Sequence, residues 1–108
     1  MNPTQLNKRL QKATVTEGAG YSFRNVIPRI ELADGESLSI QASRTHYCSP
    51  RNDAGPWEMV EIGFPSCTPP PEMAQYAEDP DRLTDTVYGY VPIKTACDFI
   101  NQHGGLKK

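Results

Sequence analysis

The chain has 108 residues, a net charge of −2 and 37% apolar residues, with ten prolines and eight glycines. That length suits one domain with a modest core and leaves little room for both a scaffold and a deep substrate cleft. The mild net charge gives no ground for general nucleic-acid affinity, and no run approaches the roughly 20 apolar residues that span a bilayer. In chain order, Asn2 is placed to cap a first helix with Pro3 at its first position. Leu6, Leu10 and Ala13 share one face of that helix, so its apolar stripe is thin. Thr14-Val15-Thr16 is β-branched, and Gly18-Ala19-Gly20 stops the helix, so residues 1–24 read as a helix and linker ahead of a core over 25–105.

Residues 26–32 read as a strand with Val26, Ile30 and Leu32 on one face, and Pro28 on that face marks an edge strand or a bulge. Asp34-Gly35 then signals a hairpin into Leu38–Ser43. A two-residue loop sets Ile30 opposite Ser39, whereas a three-residue loop over 33–35 sets Ile30 opposite Leu38. The second keeps both apolar rows on one face and is preferred, with Gly35 in the left-handed position. The second strand has Leu38, Ile40 and Ala42 inward and a polar row of Ser37, Ser39, Gln41, Ser43 and Thr45, and is able to run on to Cys48.

An exposed connection over 49–56 leads to a third strand, Trp57–Phe64, with Val60, Ile62 and Phe64 on the core face and Trp57, Met59 and Glu61 opposite. Pro65 ends it, 68–71 stays extended, and Pro71 starts a short helical turn. Residues 78–82 form an acidic loop and 86–91 a fourth strand. A final helix begins near Pro92, its stripe Ile93, Ala96, Cys97 and Ile100 following helical spacing, with Gly104 and Gly105 as the stop. The expected fold is α+β: one domain with a four-stranded, mostly antiparallel sheet, the C-terminal helix packed on one face and a weaker N-terminal helix.

Three cysteines with no apolar leader at the start argue against a disulfide framework and for a cytoplasmic setting. His46 and Cys48 project to the same side of an extended chain, as a base–thiol pair or two metal ligands would. A zinc set drawn from His46, Cys48, Cys67, Cys97 and His103 lacks paired spacing, so packing is the stronger reading for these residues and no metal or cofactor is expected.

Charge is uneven. Residues 1–54 hold seven Lys/Arg and five Asp/Glu, while 55–108 hold four and eight. Glu58, Glu61, Glu72, Glu78, Asp79, Asp81 and Asp85 are offset within 58–85 only by Arg82, either as a solvated face or as a surface that steers a basic partner. If Val87 and Val91 face the helix, Tyr88 and Tyr90 join Trp57 and Met59 on the other sheet face, as an interaction surface unless the first helix covers it.

His46-Tyr47-Cys48-Ser49-Pro50-Arg51, Val60-Glu61-Ile62-Gly63-Phe64-Pro65-Ser66, Tyr76-Ala77-Glu78-Asp79-Pro80 and Thr84-Asp85-Thr86-Val87-Tyr88-Gly89-Tyr90-Val91-Pro92 together resemble small, mostly uncharacterised accessory proteins of tailed bacteriophages and prophages. The likeness covers about residues 26–105. It implies a protein that binds and blocks a host machine in the bacterial cytoplasm, most specifically an anti-CRISPR, and it transfers no catalytic residue. On that reading Glu58, Glu61, Glu78, Asp79, Asp81 and Asp85, with Trp57, Tyr88, Tyr90 and Arg51, meet a host protein or ribonucleoprotein. Arg24, Arg29, Arg44 and Arg51 offer contacts to guide RNA or acidic protein. Two other classes stay open: a single-stranded nucleic-acid binder stacking bases on Trp57, Tyr88 and Tyr90, and a small thiol or metal enzyme at His46 and Cys48.

Overall fold

The computed structural model describes residues 1–12 and 27–108 in full and residues 15–18 and 21–24 as backbone. Helix α1 spans Pro3–Leu10. Asn2 caps it reciprocally: its side-chain oxygen accepts the Gln5 N–H at 2.9 Å, and Gln5 Oε1 accepts the Asn2 N–H at 2.9 Å. Two otherwise orphaned donors are satisfied, which sets the start of a short helix of weak apolar content. Leu6 and Leu10 are both buried, while Ala13 lies outside the described residues. The stretch read as linker holds an antiparallel pair, β1 (Val15–Gly18) and β2 (Tyr21–Arg24), forming a separate two-stranded sheet with Val15 opposite Arg24. Val15, Thr16, Tyr21 and Phe23 are residue types that favour strands, a signal the flanking glycines obscured.

The main sheet is antiparallel with order β3-β4-β5-β6, built from Ile30–Glu31, Ser37–Gln41, Met59–Gly63 and Val87–Pro92. The expected strand 26–32 shrinks to β3 at the sheet edge, where Pro28 cannot donate to a ladder. Leu32 forms an isolated bridge to Leu106, and Val26 is not described. Ile30 pairs with Leu38 as the three-residue loop required. Gly35 sits at φ +93° and donates to the Leu32 carbonyl at 3.0 Å, and the Leu32 N–H reaches the Glu36 carbonyl at 2.8 Å. A side chain in this left-handed conformation would be strained, which is why glycine fits here.

The second strand stops at Gln41. Beyond it the chain turns through Ser43, His46 and Cys48 and returns at Ser49, which bridges to Met59. Ser43, expected in the polar row, is buried. Its hydroxyl meets Thr45 Oγ1 at 3.0 Å and His46 Nδ1 at 2.7 Å, and those local bonds bend the chain out of the ladder. Trp57 and Phe64 both fall outside β5. Helix α2 is the turn Pro71–Ala74. Helix α3 spans Ile93–Gln102 with Pro92 just before its first residue, and Gly104 and Gly105, both at φ +86°, end it.

Helix α3 packs on β5 and β6, and α1 and α2 pack against α3. The core joins Leu6, Leu10, Ile30, Leu38, Ile40, Val60, Ile62, Val91, Ala96, Cys97 and Ile100, with Phe99 as a buried aromatic beyond the expected stripe. No helix among the described residues is long and apolar enough to cross a membrane.

Candidate binding surface

The β5–β6 ladder decides which aromatics reach solvent. Val60 pairs with Val91 and Ile62 with Tyr88, so Glu61 alone opposes both Gly89 and Tyr90. This bulge breaks the two-residue alternation of β6. Tyr88 and Val91, three apart, therefore share the core face, and Tyr88 is fully buried. Its hydroxyl donates to the Leu83 carbonyl at 2.5 Å, and burial pushes its phenol pKa up. The expected open face of Trp57, Tyr88 and Tyr90 is thereby corrected at two of its three aromatics.

Trp57 is 1% exposed. Its backbone N–H donates to Asn7 Oδ1 at 2.6 Å, Asn7 Nδ2 donates to its carbonyl at 3.1 Å, and its indole N–H reaches the Asn52 carbonyl at 3.3 Å. Helix α1 thus meets this residue through a polar side chain, Asn7, and Leu6 and Leu10 of the same helix belong to the buried cluster that holds Trp57.

Tyr90 remains outside. It lies at φ +55°, a conformation that costs a non-glycine residue about 1 kcal/mol or more, and the residue is 42% exposed. Its N–H donates to the Tyr47 carbonyl at 2.9 Å, and the two rings stand 6.0 Å apart. Tyr47 is also exposed and crosses Gly89 closely: a Cβ at residue 89 would approach the Tyr47 Cβ to 3.3 Å. The Arg51 guanidinium lies 5.9 Å from the Tyr47 ring centroid, a cation–π distance. Phe64, expected on the core face, is instead exposed and held at φ +48°, its carbonyl accepting from Arg29. Among the described residues the two non-glycine positions of positive φ are both exposed aromatics.

The acidic residues divide. Glu58, Glu78, Asp81 and Asp85 are exposed. Glu61 is half-buried 3.8 Å from His46 Nε2, Asp79 Oδ1 accepts the Asp81 N–H at 3.1 Å, and Asp85 meets Arg82 at 3.8 Å. Thr86 Oγ1 accepts the Asp79 N–H, fixing the acidic turn to the start of β6. Arg44 pairs with Asp53 at 3.6 Å. The side chain of Arg24 lies outside the described residues.

At the suggested thiol site, Cys48 is fully buried, and its thiol donates to the Ser43 carbonyl at 3.0 Å and lies 3.5 Å from the Pro50 carbonyl. Both His46 ring nitrogens face other groups, Ser43 and Glu61. A thiol closed off from solvent offers nothing to a substrate. A different triplet aligns at the other end of the sheet. His103 Nδ1 lies 2.5 Å from Asp34 Oδ2, and Nε2 faces Cys67 Sγ at 3.8 Å. Burial, reinforced by the nearby Glu36 carboxylate, pushes the Cys67 thiol up, away from thiolate. Among the described residues no group of three or more His, Cys, Asp or Glu is arranged to hold a metal ion.

What fold and surface define is an α+β domain presenting a strained, exposed aromatic–arginine patch. No family model, curated protein or solved structure matches the chain.

Proposed function

We propose that this domain acts by stoichiometric binding rather than turnover, and that it blocks a host anti-phage defence complex in the bacterial cytoplasm, in the manner of an anti-CRISPR. The observation that carries the binding reading is the patch of Tyr47, Tyr90 and Arg51. Tyr and Arg are the residue types that dominate binding energy at protein interfaces. Here both rings are exposed, and one is kept at a backbone conformation that glycine would fill more easily. Strain retained at an exposed side chain is a signature of function rather than folding. The nearby connection carrying Arg51 supplies a cation, and the exposed acids Glu78, Asp81 and Asp85 supply a second polarity suited to a basic channel. The identity of the blocked machine comes from the sequence resemblance.

The test is co-purification with defined CRISPR effector complexes, comparing the native chain with Tyr47→Ala/Tyr90→Ala. A stoichiometric complex that the double variant fails to form supports the reading. Absence of any complex, or equal binding by the variant, contradicts it.

A further inference from the structure

A concentration of positive charge lies among residues that are not part of the aromatic patch. Two hollows of about 530 and 380 Å³ share Arg9, Leu106, Lys107 and Lys108 in their lining and so adjoin one another as a cationic groove. Among the described residues its lining gathers Lys8, Arg9, Lys12, Arg29, Lys107 and Lys108, six of the chain's eleven Lys and Arg, against one acidic side chain, Glu31. On a chain of net charge −2, such clustering is a local feature that whole-chain charge conceals.

The groove is built on fixed walls. Helix α1 is capped by Asn2 and tied to α3 by the Met1 amino group, which donates to Asn101 Oδ1 at 2.9 Å. The segment 105–107 is bonded onto β3: the Ala33 N–H reaches the Gly105 carbonyl at 2.9 Å, and the Lys107 N–H reaches the Glu31 carbonyl at 3.0 Å. Arg29 is held by Ser37 and Phe64, so its charge sits at a set place. Glu31 neutralises part of Lys107 at 3.6 Å, while Lys8, Lys12 and Lys108 are exposed.

We infer that this groove binds the phosphate backbone of single-stranded nucleic acid, independently of base sequence. Six cations spread over two adjoining hollows fit a chain of charges rather than one anion. Among the described residues the lining offers Met1 and Leu106 as apolar side chains against six cations, so charge is what it presents to a ligand. The Lys and Arg side chains of the lining address phosphates rather than base faces, so recognition falls on the backbone. This inference uses none of the residues of the proposed protein-binding patch and stands apart from that reading.

The test is fluorescence anisotropy with a labelled oligothymidylate across a salt series. Binding is expected at low salt with a log–log slope of about −3, at roughly −0.7 per phosphate contacted. Lys8→Glu/Lys12→Glu should weaken it about tenfold or more. Lys94→Glu, on the exposed side of α3, and Tyr47→Ala/Tyr90→Ala should leave it unchanged. Circular dichroism melting confirms that each variant is folded. No binding at low salt overturns the inference, as does equal damage from Lys94→Glu. Tighter binding to polyglutamate or to anionic phospholipid vesicles than to the oligonucleotide also overturns it, assigning the groove to an acidic protein or a membrane instead.

Discussion

Asn7 and Trp57, fifty residues apart in the chain, exchange two hydrogen bonds: the Trp57 N–H to Asn7 Oδ1 at 2.6 Å and Asn7 Nδ2 to the Trp57 carbonyl at 3.1 Å. The amide of Asn7 thus extends the backbone pairing of a residue that lies outside any ladder and seats the indole beneath α1. Asn7→Ala removes both of these hydrogen bonds from a buried residue and should cost about 2 kcal/mol. Trp57→Ala should cost about 3–5 kcal/mol through cavity formation. Urea unfolding measures both, and a loss below about 0.5 kcal/mol for Asn7→Ala would contradict the pairing.

Tyr90 separates folding from binding. Replacing it with glycine relieves roughly 1 kcal/mol of left-handed strain and adds a chain-entropy cost of roughly 0.5–1 kcal/mol. The two nearly cancel, so Tyr90→Gly should melt within a few degrees of the native chain while losing its part of the aromatic patch. A large loss of stability would show that the ring is a structural support.

The fold is legible in the sequence where local rules and burial agree. Gly35 and the apolar rows of Ile30 and Leu38 are enough to set the hairpin register, and the Asn2 cap with Pro3 after it and the Ile93-Ala96-Cys97-Ile100 stripe set two helices. The aromatic face is not legible. It depends on a bulge opposite Glu61 that places a tyrosine, not a glycine, at positive φ, and no propensity signals that. Burial of Trp57 brings together residues far apart in the chain, with Asn7 bonded to its backbone and Leu6 and Leu10 in the same cluster. The cationic groove joins α1 to the segment after α3, so its charges are clustered only in space.

Asp34 gives the fold an acid limb. The Glu36 N–H, bonded to Asp34 Oδ1 at 3.0 Å, and the His103 ring hold this carboxyl below its usual range. A carboxylate with a depressed folded-state pKa stabilises the fold above its unfolded value, and that contribution is lost as pH falls through the folded value. Asp34→Asn should therefore flatten the decline of the urea midpoint with falling pH in the acid range. An unchanged decline would sever Asp34 from it.

The Cys67 thiol, raised by burial and then by Glu36, should react slowly with iodoacetamide at neutral pH despite facing His103. Glu36→Gln removes the negative neighbour and should speed the reaction several-fold. Cys48 and Cys97, both buried, should stay unmodified in the folded protein. Fast alkylation of Cys67 in the native chain at neutral pH would reveal an activated nucleophile and favour thiol chemistry at this end of the sheet.

The claim that this domain blocks a host defence through its exposed aromatic patch is tested most directly by phage plating. Phage is plated on bacteria with an active RNA-guided defence that express either the native chain or Tyr47→Ala/Tyr90→Ala. The native chain should restore plaques, and the double variant, equally abundant and folded, should not. Plaque counts that stay low with the native chain across such hosts, or that rise equally with the variant, would contradict the account.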